Sequence, residues 1–213
     1  MKTDDLIAVL ALESRGPGPG RLRRQIALWS GLGALAAAGV VVVAMGARAD
    51  LMQGPGLANF IGKAGYTLAL AVVGLWLLDR LGRPGARARR AWMAFILLTV
   101  GGLAAAGVDL ALTPAGARYA QLMGQSALIC PLAILILSLF TLAPAMLAAR
   151  GFAPLKPAAA GAATGLLAGG LAATAYGLHC SETAVSFLVV WYGLGVLATG
   201  ALGAMIGARL LRW

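Results

Sequence analysis

The chain has 213 residues, of which 61% are hydrophobic and 11% are charged, and its formal net charge is +10. An ordinary soluble domain is about half apolar and about a quarter charged, so this composition excludes a soluble fold. It predicts instead an all-α polytopic membrane protein, a bundle of transmembrane helices joined by short loops.

The N-terminal arm, residues 1–24, precedes the first long apolar run and differs from the rest of the chain. Thr3 can cap a short helix whose first turn holds Asp4 and Asp5, where negative charge suits the helix dipole. Glycine and proline alternate over residues 16–20 and end this helix. Because so short a helix is marginal alone in water, we expect it to dock on the membrane surface or in the groove of a cytoplasmic partner. Its acidic residues favour the protein partner.

Six apolar segments reach the length needed to span a bilayer, roughly 20 residues for about 30 Å of hydrocarbon. The loops between them are too short for a soluble sensor or nucleotide-binding domain, so residues 25–213 are predicted to form one six-helix transmembrane domain. The predicted spans are residues 25–46, 59–78, 91–112, 125–149, 157–178 and 184–208.

The first span resembles a signal peptide in two respects. Basic residues precede it, and Ala47-Arg48-Ala49 follows it in the pattern of a cleavage site. Its apolar run is longer than the usual 7–15 residues of a signal peptide, so we expect the span to be retained.

Basic residues predict the orientation of the chain, because lysine and arginine near helix ends tend to stay cytoplasmic. With alternating loops, fourteen of the 17 basic residues fall on one side, whereas Arg48, Lys63 and Arg118 fall on the other. This asymmetry predicts that both termini are cytoplasmic. The charges are dispersed over helix ends that face anionic lipid, which favours a role in topology over direct nucleic acid binding. The fourteen are Lys2, Arg15, Arg21, Arg23, Arg24, Arg80, Arg83, Arg87, Arg89, Arg90, Arg150, Lys156, Arg209 and Arg212.

Glycines recur at the G-x-x-x-G spacing in the last two spans. Gly161, Gly165 and Gly169 follow this spacing in the fifth span, and Gly203 and Gly207 in the sixth. Glycines four apart share one helix face and let two backbones approach closely. Packing between helices of the same chain is favoured over a homodimer, because those helices are the nearest partners.

Few residues within the spans could do chemistry. Lys63, Asp79 and Asp109 all lie near span ends, where we expect their side chains to reach water. No acidic relay of the kind expected in a transporter lies near the midplane. The sequence also contains no metalloprotease pattern, phosphate loop or nucleophile elbow, so we expect no enzyme activity.

The two cysteines are predicted to lie on the same side of the membrane. Cys130 is near the outer start of the fourth span, and Cys180 is in the outer loop before the sixth. In an oxidising periplasm, two thiols at similar depth could form a disulfide or bind a soft or transition metal ion. His179 and Glu182 flank Cys180 and could add ligands. Alternatively, Cys130 is a small buried hydrophobic residue and Cys180 an incidental one, since their spacing matches no local metal motif.

Three stretches carry a resemblance to a known family: MKTDDLI at residues 1–7, AATAYGLHC at residues 172–180 and WYGLG at residues 191–195. They resemble the NrsF family, named as negative regulators of sigma F. The similarity extends over essentially the whole chain, including the six spans and both cysteine positions. Members of that family are bacterial inner-membrane anti-sigma factors, which hold an extracytoplasmic-function sigma factor at the membrane until a stress signal releases it.

The resemblance implies a function for two parts of the chain. Residues 1 to about 20 would bind the sigma factor, and the six-helix domain would sense metal or oxidative stress through Cys130 and Cys180, with His179 as a further candidate ligand. Chemistry at the cysteines would favour one arrangement of the bundle, and the arm would hold its partner in only one arrangement. The arm residues expected to contact the sigma factor are Thr3, Asp4, Asp5, Leu6, Ile7 and Leu10.

A small membrane transporter or channel for metal ions is the alternative function. In that case Cys130, His179 and Cys180 would form an entry site for the ion. A sigma-factor gene next to this one would favour the regulator, whereas an uptake phenotype without transcriptional change would favour the transporter.

Overall fold

The computed structural model describes residues 19–212, and every regular element in that part of the chain is helical. Six of these helices are long and apolar enough to cross a membrane, which confirms the predicted all-α class and the six spans. A short helix, α4, lies between the third and fourth of them. The helices are α1 (Pro19–Val40, continued by a π-helical turn at Val41–Met45), α2 (Gly54–Leu81), α3 (Arg89–Leu112), α4 (Arg118–Met123), α5 (Ile129–Ala149), α6 (Pro157–Tyr176) and α7 (Val185–Phe187, a π-helical turn at Leu188–Tyr192, and Gly193–Leu210).

Some helix bounds differ from the predicted ones for local reasons. α1 and α2 begin earlier than predicted because Pro19 and Pro55 suit the first turn of a helix, where a missing N–H is harmless. α5 begins at Ile129 instead of residue 125, because residues 124–128 form a turn. This turn starts at Gly124, which ends α4 with a φ of +50°, a conformation that glycine adopts readily.

Glycines bring the backbones of α6 and α7 into contact. A side chain at Gly161 would collide with the backbone of Gly203. A Cβ atom at Gly207 would lie 2.6 Å from the Cα atom of Gly161, and one at Gly165 would lie 2.8 Å from the Cα atom of Gly200. The predicted packing of these glycines within one chain is therefore confirmed.

Helix α6 lies at the centre of the bundle. It packs against α1, α2, α5 and α7, and most of its span is buried. On the α2 side, Gly74 approaches the α6 backbone and Gly170 approaches Ala71. The hydroxyl oxygens of Thr67 and Thr174 are 2.7 Å apart and join the same two helices. By contrast, α3 packs mainly on α2 and the start of α7, and almost none of its span is buried.

Successive spans run in opposite directions, so three spans begin and three spans end at each end of the bundle. We call the basic end the one where α1, α3 and α6 begin and α2, α5 and α7 end. At the cysteine end, α1, α3 and α6 end and α2, α5 and α7 begin. The residues that carry the candidate site lie in loops and helix termini at the cysteine end.

Candidate cysteine site

Cys130 and Cys180 lie together at the cysteine end of the bundle. Cys130 is in the first turn of α5, and Cys180 is in residues 177–184, the cysteine loop, which joins α6 to α7. Both thiols are free and buried, and their Sγ atoms are 4.0 Å apart. A disulfide bond is about 2 Å long, so the thiols touch without being bonded. The fold thus brings together two cysteines that are 50 residues apart in the sequence.

Polar side chains surround the Cys130 thiol. Its Sγ atom lies 3.3 Å from Ser126 Oγ, in the turn before α5, and 3.4 Å from Tyr176 Oη of α6. The Tyr176 ring lies beside that of Tyr192 in α7, with 5.8 Å between the ring centroids. Both tyrosines are buried, so three helices enclose the thiol pair.

Two cationic side chains bind the backbone carbonyl of Cys180. Lys63 Nζ of α2 donates a hydrogen bond to it at 2.9 Å, and Arg48 Nη1 donates another at 3.2 Å. Both side chains are buried, since Lys63 is 4% exposed and Arg48 is 8% exposed. Arg48 also donates two hydrogen bonds, of 2.5 and 2.6 Å, to the carboxylate of Asp50. Burying a charged group costs solvation free energy unless hydrogen bonds replace those to water. Breaking these contacts would leave two buried charges without partners, so they fix the cysteine loop in place.

Further hydrogen bonds fasten the cysteine loop to residues 46–50, which directly follow α1. The backbone N–H of Arg48 donates to the carbonyl of Leu178 at 3.0 Å. His179 Nδ1 lies 2.9 Å from the carbonyl oxygen of Gly46. The segment that carries Cys180 is therefore docked on the segment that ends the first span.

The surroundings of Cys180 favour its thiolate form. The thiol of Cys130 lowers the pKa of Cys180, and the ammonium of Lys63 acts in the same direction, whereas burial opposes both. A cysteine with a lowered pKa is more reactive towards oxidants and metal ions at neutral pH, because the thiolate is the reacting form.

A metal ion at this site would have Cys130 and Cys180 as its protein ligands. Among residues 19–212, no group of three or more histidine, cysteine, aspartate or glutamate side chains is arranged to hold a metal. His179 contacts the segment after α1, and the carboxylate of Glu182 accepts a hydrogen bond of 2.7 Å from the N–H of Gln125. Two sulfur ligands suit a soft ion, so this pair fits either thiol oxidation or the binding of a soft metal.

Sequence analysis missed Lys63 and Arg48 as parts of the site. The expectation that Lys63 reaches water is wrong, because its ammonium is buried against the cysteine loop. Its position inside a predicted span, at the depth of the cysteines, could have indicated a buried partner. Asp109 is also engaged within the protein, since its Oδ2 accepts hydrogen bonds of 2.9 Å from both Ser186 N and Gln121 Nε2.

The predicted sigma-binding residues of the arm lie outside the described residues. They are Thr3, Asp4, Asp5, Leu6, Ile7 and Leu10. The predicted boundary between the arm and the membrane domain, after residue 24, falls in α1, which begins at Pro19.

Comparison with known proteins gives the family. A family model described as NrsF, negative regulator of sigma F, matches residues 10–213. The chain belongs to the NrsF family. A curated relative named anti-sigma-F factor NrsF, from Caulobacter vibrioides (strain NA1000 / CB15N), is 44% identical over 216 aligned residues that cover all of both chains. No solved structure matches the chain.

A second NrsF relative shows the same full-length correspondence. It is named probable anti-sigma-F factor NrsF, from Azospira oryzae (strain ATCC BAA-33 / DSM 13638 / PS), and it is 35% identical over 213 residues with all of both chains covered. The resemblance to the NrsF family is therefore confirmed, and the family gives the chain a regulatory role.

Proposed function

We propose that this chain is a membrane anti-sigma factor of the bacterial inner membrane. The N-terminal arm, residues 1–24, holds an extracytoplasmic-function sigma factor, and metal or oxidative stress at Cys130 and Cys180 releases it. The observation that carries the proposal is the buried thiol pair, with 4.0 Å between its sulfurs, in a chain of a family described as negative regulators of sigma F.

The proposal places both termini in the cytoplasm and the cysteine end at the periplasm. It rests on the fourteen basic residues on the side of the N-terminus, against three on the other side. Alkaline phosphatase, which is active only in the periplasm, should be active when fused after Gly116 or Ser181. It should be inactive after Arg87 or Trp213, and activity at Trp213 would contradict this orientation.

The chemistry at the thiol pair follows one of two balanced routes. In oxidation, a disulfide or peroxide oxidant accepts two electrons, both thiols lose their protons, and a bond forms between the two sulfurs. In metal binding, a soft cation replaces the thiol protons and is held by both sulfurs. Oxidation shortens the distance between the sulfurs from 4.0 Å to about 2 Å, so it pulls the cysteine loop towards α5.

The contacts of the cysteine loop support a coupling between the thiol pair and the first span. The loop is hydrogen-bonded to Arg48, His179 is bonded to Gly46, and these residues directly follow α1, whose other end joins the arm. A movement of Cys180 therefore pulls on the first span. The π-helical turns at Val41–Met45 and Leu188–Tyr192 adjoin the two docked segments, and such turns are often found at functional sites.

Co-purification with the sigma factor tests the proposal. The full chain, extracted in mild detergent, should retain the sigma factor before treatment and release it after treatment with the thiol oxidant diamide or with Cu(I). Replacing Leu6→Asp together with Leu10→Asp removes the apolar anchors of the arm, so retention should fall about tenfold at equal membrane abundance.

The variant Arg87→Gln is the control, because it removes one charge on the same proposed cytoplasmic side and leaves the sequence of the arm unchanged. Retention that survives the two arm substitutions, or that is lost in Arg87→Gln instead, would place sigma-factor binding outside the arm.

A further inference from the structure

Four arginines line a cavity at the basic end of the bundle, away from the cysteine site. The cavity has a volume of about 380 Å³ and lies between the end of α2 and the start of α3. We call it the arginine cavity. Its lining residues are Trp76, Arg80, Arg87, Arg89 and Arg90.

No negative charge balances these four arginines within the described chain. Neither of the two ion pairs found among residues 19–212 involves them, and none of their guanidinium groups takes part in a hydrogen bond there. The nearby carboxylate of Asp79 is already paired with Arg83. Four like charges around one cavity repel each other, so a bound anion would stabilise this arrangement.

The donor chemistry of the cavity fits a phosphate group. A guanidinium group presents parallel N–H donors that match two oxygens of a phosphate, and arginine is the preferred residue for this geometry. Arg89 and Arg90 also form the start of α3, where the N-cap residue Ala88 makes no side-chain cap. The free N–H groups and the helix dipole at that point add to the attraction for an anion that the four arginines supply.

The side chains next to the cavity favour a phospholipid as the source of the phosphate. Arg80, Trp76 and Val72 are spaced four residues apart, so they share one face of α2. Along this face the charged Arg80 is followed by the aromatic Trp76 and then by Val72, an aliphatic residue that is 64% exposed. Below Arg89 and Arg90, α3 likewise exposes Met93, Ile96 and Leu97. Tryptophan is enriched at the level of lipid headgroups, so Trp76 between Arg80 and Val72 favours a headgroup in the cavity and acyl chains along the apolar faces.

We propose that the arginine cavity binds the phosphate headgroup of an anionic phospholipid, whose acyl chains lie along the exposed apolar faces of α2 and α3. Such a lipid would join α3 to the bundle, since α3 itself buries almost none of its span. Basic pockets between transmembrane helices are a recognised setting for anionic headgroups. Binding of this lipid does not require a bound sigma factor.

Lipid retention by the full chain tests the proposal. The detergent-purified protein is incubated with equal amounts of dioleoyl-phosphatidylglycerol and dioleoyl-phosphatidylcholine, and native mass spectrometry counts the lipids that stay bound. The wild type should retain the anionic lipid about tenfold more than the zwitterionic one. In the double variant R89Q/R90Q this preference should disappear.

Two further variants separate the site from general charge effects. R209Q/R212Q removes the same charge at the same end of the bundle, from the last turn of α7 and the segment that follows it, and should keep the preference. R89K/R90K keeps the positive charge that orients the chain in the membrane but lacks the planar guanidinium group, which can bind two phosphate oxygens at once. This variant should remain folded and inserted and should lose most of its preference for the anionic lipid. Circular dichroism and gel filtration confirm the fold of each variant.

Several outcomes would overturn the proposal. The first is equal retention of both lipids by the wild type, and the second is the same loss in R209Q/R212Q as in R89Q/R90Q. Displacement of phosphatidylglycerol by inorganic phosphate would assign the cavity to a free phosphate. Displacement by a synthetic peptide of residues 1–18 would assign it instead to the N-terminal arm of this chain, through Asp4, Asp5 or Glu13.

Discussion

The ammonium group of Lys63 lies 2.9 Å from the carbonyl oxygen of Cys180, so a buried cation of α2 holds the loop that carries one of the two thiols. No carboxylate in the described chain forms an ion pair with this lysine. Its Nζ atom also lies 5.9 Å from the centre of the Tyr192 ring. The charge of Lys63 therefore acts mainly on the cysteine site.

Replacing Lys63→Met should move the pH dependence of Cys180 reactivity to higher pH. The substitution keeps the side-chain length but removes the charge, so the pKa of Cys180 should rise towards its ordinary value. Alkylation by iodoacetamide follows the thiolate fraction, so below the pKa of Cys180, which lies at about 5, a rise of one pKa unit lowers the rate by about tenfold. Raising the pH should restore the rate. Lys156→Met, at the basic end, is the control, and equal rates in both variants and the wild type would remove this electrostatic role of Lys63.

Cys130 and Cys180 should act as one unit in signalling. Replacing either cysteine with serine should reduce the response of the sigma-factor regulon as much as replacing both, because a disulfide or a two-sulfur metal site needs both partners. Independent residues would give roughly additive effects. The measurement is a transcriptional reporter in both single variants and the double variant, before and after diamide or Cu(I). A normal response in the double variant would remove the cysteines from the mechanism.

Replacing Arg48→Gln should leave oxidation of the thiols intact while reducing release of the sigma factor. The variant loses the hydrogen bond to the Cys180 carbonyl and the ion pair with Asp50, so the cysteine loop is held less firmly on the segment after α1. Thiol labelling should still show oxidation by diamide, whereas release of the sigma factor should fall about tenfold. Arg118→Gln removes an exposed charge at the same end and serves as control. Unchanged release at equal oxidation would show that coupling does not run through Arg48.

Replacing Gly161→Ala should destabilise the bundle, because the new methyl group would collide with the backbone of Gly203. Overpacking of this kind lowers the free energy of unfolding by about 1–3 kcal/mol. Gly62→Ala is the matched control, since its added atom has open space in α2 and alanine stabilises a helix by about 0.5–1 kcal/mol relative to glycine. Thermal unfolding in detergent, followed by circular dichroism, compares them. A wild-type melting temperature in Gly161→Ala would contradict the observed backbone contact.

The fold could be predicted from sequence where the pattern is local. The length of the apolar segments predicts the six spans. The G-x-x-x-G spacing around Gly161 and Gly203 predicts the close packing of α6 and α7. The site could be predicted only in part. The contact between Arg48 and Cys180 joins residues 132 apart, and no local pattern encodes which loops meet at one end of a bundle. Lys63 was missed for a second reason, since a lysine near a span end ordinarily reaches water.

The burial of α6 has a consequence for the way the chain enters the membrane. α6 has the lowest mean hydropathy of the six spans, because glycine and alanine take the place of larger apolar side chains along its packed faces. While the chain is being synthesised, α6 emerges before α7 exists to cover it, so it meets lipid as a weakly apolar segment. We therefore expect α6 and α7 to insert together as a helical hairpin. A chain truncated after residue 184 should leave α6 poorly inserted and open to degradation, which protease protection in membrane vesicles would detect.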